Sequence, residues 1–135
     1  MLPRCVISYM HRRMGKYMNN DLKTKIIDEL HISRNKALVA KRALEYEALA
    51  DPKHEFWIRG SKSYLLGKEH RGELIGLSDF LFRVRDDDFN ADEFLDKARR
   101  DADQMRTDGT DEDKAFATGL IKALDRIEAV WKEPA

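Results

Sequence analysis

TDEDKAFATGLIKALDRIEAVW, residues Thr110–Trp131, decides how the rest of the chain is read. Phe116, Leu120, Ala123, Leu124, Ile127 and Trp131 recur at spacings of three and four, so one side of a 3.6-residue helix collects them. Asp111, Glu112 and Asp113 fill its first turn, where negative charge meets the positive end of the helix dipole. Pro134 closes the segment.

The same beat runs upstream. Asn90 opens a third helix, with Glu93 placed to complete a capping box and Ala91, Leu95, Ala98, Ala102 and Met105 as its stripe. Gly109 supplies its stop. A second helix spans about Ser61 to Val84 on Leu74, Leu77, Leu81 and Val84, and Asp86-Asp87-Asp88 ends it. Gly72, Gly76 and Phe80 lie four apart on this helix. Interior glycine costs about 1 kcal/mol against alanine, which predicts close approach of a neighbouring helix there. Gly72–Phe80 also echoes Gly119–Ile127, as two helix pairs built alike would, or two amphipathic helices by chance.

The first segment runs from about Asn20 to Ala50 and ends at Asp51-Pro52, because a residue before proline avoids the helical region. Leu22, Ile26, Ile27 and Leu30 mark one apolar face, and Ala37, Leu38, Leu44, Ala48 and Leu49 a second. His31–Lys36 breaks the pattern between them. Either one long helix runs through a polar band, or a turn sits near His31 with Ser33 capping a new helix. Phe56, Trp57 and Ile58 make the loop at 51–61 partly apolar and predict that it folds back onto the core. The expected fold is all-α, a single-domain bundle of four to five helices over residues 20–135. Residues 1–19 are read as an N-terminal extension, disordered or a short helix.

Composition agrees. The 135 residues are 42% hydrophobic and 37% charged, which suits helices with apolar stripes and charged outer faces. A lone Cys5 permits no disulfide within the chain, so a reducing, cytoplasmic setting is expected. No apolar run approaches the roughly 20 residues of a membrane span. The first residues carry Arg4, Arg12, Arg13 and Lys16 without an apolar stretch, unlike a secretory signal.

The net charge is zero but unevenly spread: residues 1–42 hold ten basic and three acidic side chains, residues 86–113 twelve acidic and four basic. Such fields either orient a partner or neutralise each other within the fold.

Lys25-Ile-Ile-Asp-Glu-Leu-His-Ile-Ser-Arg-Asn35 resembles the middle of a bacterial helix-turn-helix. The resemblance implies that Ser33 caps a recognition helix and that Arg34, Asn35, Lys36, Lys41 and Arg42 contact DNA. His31 stands where that family prefers glycine, and Lys41 where it buries an apolar residue. Gly109-Thr-Asp-Glu-Asp113 resembles the Gly-Thr-Asp-Glu segment of annexin repeats. The glycine-rich lead-in and distant carboxylate of that calcium loop are missing, and capping accounts for these residues. His11, His31, His54 and His70 show no metal-ligand spacing. Ser33, Ser61, Ser63 and Ser78 lack a nucleophile elbow.

No catalytic group, cofactor, metal or small-molecule substrate is therefore expected. The expected function is non-catalytic binding of a macromolecular partner, another protein or a second copy, through charged helix faces. Asp86, Asp87, Asp88, Asp92 and Asp96 would present carboxylates to a basic surface. Small, charged, all-helical chains of this style are common among regulators and inhibitors of phages and mobile elements. The alternative is a helix-turn-helix regulator using residues 23–44.

Overall fold

A computed structural model describes residues 20–50 and 57–132, and these form four helices with no strand among them. The helices are α1 (Asn20–Ala50), α2 (Lys62–Arg83), α3 (Ala91–Asp108) and α4 (Asp111–Lys132). The expected all-α bundle is what forms. The expected extension at residues 1–19, most of the loop before Trp57, and Pro134 lie outside the described residues.

Side-chain caps set the starts of three helices. Ser61 Oγ accepts from the Tyr64 amide at 3.2 Å, and Asn90 Oδ1 from the Glu93 amide at 3.1 Å. At α4 the cap is reciprocal: Thr110 Oγ1 accepts from the Asp113 amide at 3.2 Å, and Asp113 Oδ2 accepts from the Thr110 amide at 3.1 Å. Gly109 stops α3 with extended backbone (φ −85°), not with a left-handed turn. Its role is spatial, since a Cβ there would overlap the Met105 carbonyl and sit 2.5 Å from Asp113 Cβ.

α1 is unbroken across His31–Lys36. The turn of the helix-turn-helix reading does not form, and Ser33 caps nothing. Its hydroxyl donates to the Glu29 carbonyl at 3.3 Å within the helix. The physical reason lies in the neighbours. Ile26, Leu30, Ala37 and Ala48 stay in register on one buried face. The polar band between them is taken up by other helices: Arg34 Nε donates to Ser78 Oγ of α2 at 2.9 Å, and Arg126 Nε of α4 donates to Ser33 Oγ at 3.0 Å.

Cross-helix contacts give the topology. α1 runs antiparallel to α2, with Lys23 near Asp87 at one end and Arg34 on Ser78 midway. α3 runs antiparallel to α4, tied by Arg99 to Asp125 (2.8 Å) and Glu128 (3.0 Å). α2 and α4 run parallel: Arg59 meets Glu112 at their starts (2.6 Å), Glu69 meets Lys122, and Phe80 meets Trp131 at their ends. These two helices form the centre, with α1 and α3 on the flanks.

The centre is narrow because glycine meets backbone. A Cβ on Gly72 would overlap the Phe116 carbonyl oxygen, and one on Gly119 would overlap the Glu69 carbonyl and sit 2.7 Å from the Glu73 amide. A Cβ on Gly76 would lie 2.7 Å from Ala123 Cβ. The close approach expected at Gly72 and Gly76 is therefore real, and α4 is the neighbour.

Phe80, with no exposed surface, anchors the core. Its ring meets Phe89, Phe94 and Trp131 edge-on at centroid distances of 5.5, 5.7 and 5.9 Å. Leu77, Leu124 and Ile127 are buried as expected, while Leu74 is half-buried at the margin. Two expectations need correction. Leu49 faces solvent, and Trp57 and Ile58 are 58% and 54% exposed, so this part of the loop does not fold back onto the core. Leu49 follows buried Ala48, and a 100° step per residue turns its side chain off that covered face.

Candidate partner-binding site

An open groove of about 410 Å³ lies between the C-terminal half of α2 and α3. The turn Arg85–Asn90 sets its shape, with Asp86 N–H bonded to the Arg83 carbonyl and Phe89 N–H to the Asp86 carbonyl, each at 3.1 Å. That turn drops Phe89 beside Phe94 (5.5 Å between centroids), and the two rings line the groove over buried Phe80. Asp79, Asp88, Glu93 and Asp101 also line it, against the cations Arg83 and Lys97.

These carboxylates differ in how they are satisfied. Arg83 Nε holds Asp79 at 2.9 Å across one helical turn, while its guanidinium lies 5.9 Å from the Phe94 centroid. Asp88, Glu93 and Asp101 have no ion-pair partner among the described residues. The groove thus has surplus negative charge above an aromatic floor that already accommodates one guanidinium. Chemically, such a lining can accept a cation that stacks on a ring and bridges to a carboxylate.

Of the five carboxylates expected to act together, only Asp88 lines the groove. Asp86 and Asp87 are exposed in the turn, and Asp87 lies 3.8 Å from Lys23, a point where the basic and acidic stretches of the chain meet. Asp92 and Asp96 fall on the opposite side of α3 from Phe94 and Asp101, as a 100° step per residue dictates. Sequence reasoning missed Asp79, Glu93 and Asp101 as members. The available signal was the spacing of Asn90, Phe94, Lys97 and Asp101, which share one face of a helix.

The five DNA-contact candidates do not converge either. Arg34 is turned to Ser78 of α2, and Lys41 is paired with Glu45. Asn35 and Arg42 share the outer face of α1, whereas Lys36 lies on its other flank, away from Lys41. On that outer face Ile32, Val39 and Tyr46, at seven-residue spacing, are 57, 66 and 78% exposed.

A second, smaller groove of about 190 Å³ lies between α1 and the N-terminal half of α2. Trp57 and Tyr64 line it with Lys41, Lys68 and Arg71, against one carboxylate, Glu45. Lys68 Nζ sits 5.2 Å from the Tyr64 ring centroid. Nearby, the hydrogen bond from Arg59 holds the Glu112 carboxyl below its ordinary range and raises the guanidinium in turn. Among the described residues no group of histidine, cysteine or carboxylate side chains is placed to hold a metal ion, and no helix is long and apolar enough to cross a membrane.

No protein-family model, curated protein or solved structure matches this chain.

Proposed function

We propose that this chain is a non-catalytic protein-binding module that receives basic side chains of a partner in the acidic groove between α2 and α3. One observation carries the reading: Asp88, Glu93 and Asp101, lacking ion-pair partners among the described residues, surround the Phe89–Phe94 floor. An incoming arginine would stack on that floor as Arg83 does and form charge-assisted hydrogen bonds to the carboxylates. A target's nucleic-acid-binding face is rich in such side chains, so the module would act as a regulator or inhibitor that covers it.

The test is titration of a short arginine-rich peptide, followed by amide shifts and calorimetry. Charge reversal of Glu93 and Asp101 to lysine is expected to weaken binding about tenfold or more, because like charges then face each other. Reversal of Asp92 and Asp96 is expected to change it far less. Equal effects of the two pairs would reject the groove as the site.

A further inference from the structure

The exposed face of α2 carries cations on one side of its midpoint and a carboxylate and a ring on the other. Lys68, Arg71, Ile75, Asp79 and Phe82 stand at −7, −4, 0, +4 and +7 relative to Ile75, offsets that stack on one side of a helix. The cations lie on the N-terminal side of Ile75 and the carboxylate on the C-terminal side. Ile75 and Phe82 are 39% and 76% exposed, apolar surface that α1, α3 and α4 leave uncovered. Arg71 has no hydrogen bond or ion pair among the described residues. Asp79 is held only by Arg83, in a pair whose side chains are 44% and 56% exposed, and such pairs are weak enough to exchange partners.

We infer that this face binds a second copy of the chain, with the two α2 helices antiparallel about a two-fold axis at Ile75. The inference rests on the reading of the chain as a protein-binding module and names the partner. Turning the stripe end over end about Ile75 exchanges position 71 with 79 and position 68 with 82. Arg71 then faces the partner's Asp79, Lys68 faces the ring of the partner's Phe82, and Ile75 packs on the partner's Ile75. Because the contact is isologous, each ionic and cation–π pair occurs twice. The same rotation carries the basic, aromatic groove beside Arg71 toward the acidic, aromatic groove beside the partner's Asp79. A uniformly basic partner would set like charge against Lys68 and Arg71. An antiparallel copy instead supplies a carboxylate to Arg71, a ring to Lys68 and an apolar side chain to Ile75, and that complementarity selects it.

The experiment is sedimentation velocity on the full chain over a wide concentration range, at low and high salt, with helicity of each variant checked by circular dichroism. The expected result is a reversible dimer that salt weakens. Arg71→Asp and Asp79→Arg should each weaken dimerisation about tenfold or more by placing like charges opposite each other. Mixing the two single variants should restore association as a heterodimer, and so should Arg71→Asp with Asp79→Arg on one chain. A dimer indifferent to both reversals, or singles that weaken without rescue by mixing, would overturn the inference. A chain that stays monomeric yet binds the arginine-rich peptide overturns the dimer and leaves the groove reading standing. One that does neither removes both.

Discussion

Two residues in the centre respond to substitution through different physics. Phe80 loses its whole side chain to the core and touches three rings. Phe80→Ala should cost about 3–5 kcal/mol in chemical denaturation, the sum of lost transfer energy and the cavity left behind. Gly119→Ala is the more telling case. Helix propensity alone favours alanine by about 1 kcal/mol. Here the added methyl would run into the Glu69 carbonyl and the Glu73 amide, which belong to backbone and cannot rotate aside. A net loss of about 1–3 kcal/mol is expected, and a thermal melt in which Gly119→Ala is the more stable protein would contradict the close α2–α4 approach. Phe80 and Gly72 were legible from their spacing. That Gly119 faces α2 was not: an interior glycine signals a close approach, as at Gly72, but not which helix makes it.

At the scale of the helix, α1 shows how tertiary contacts overrule a local pattern. His31–Lys36 reads equally well as a polar band or as a turn, since serine serves at a cap as well as on a helix face. Ser78 and Arg126 decide between them by accepting from Arg34 and donating to Ser33. His31→Gly tests the outcome. In a helix-turn-helix it would restore the preferred turn residue; in a continuous helix it should cost several tenths to about 1 kcal/mol, read as a lower melting temperature. The outer face of the same helix predicts the reverse. Val39 and Tyr46 are exposed, so replacing both with serine should change the stability of the isolated chain by no more than about 0.5 kcal/mol per site.

Charge acts on the molecule as a whole. The basic stretch 1–42 and the acidic turn after α2 meet at Lys23 and Asp87, and further ion pairs tie α2 to α4 and α3 to α4. Glu112 makes the clearest pH-dependent contribution. Its carboxyl is held down first by the hydrogen bond from Arg59, so the folded chain binds its proton less readily than the unfolded chain. The stability it adds is present above the ordinary glutamate pKa of about 4.3 and is lost as pH falls through the lower folded value. Acid unfolding should therefore be steeper in the native chain than in Glu112→Gln below about pH 4. Identical acid limbs for the two proteins would dissociate Glu112 from that transition. The candidate groove belongs to this scale too: Asp79 comes from α2, Asp88 from the turn, and Glu93 and Asp101 from α3.

Spacing and capping residues alone were enough to read residues 20–50 and most of 62–132 as helical, to place the starts of α2, α3 and α4, and to say which face of each goes inward. Those properties are local: caps act within three residues, and a 3.6-residue beat is audible in any single segment. It took the packed helices to show that α2 and α4 run parallel in backbone contact, that α1 stays whole, that Trp57 and Ile58 are more than half exposed, and that one of five expected carboxylates reaches the groove. Each of these depends on which helix stands opposite, a long-range choice set by the fit of small residues and by polar partners tens of residues away.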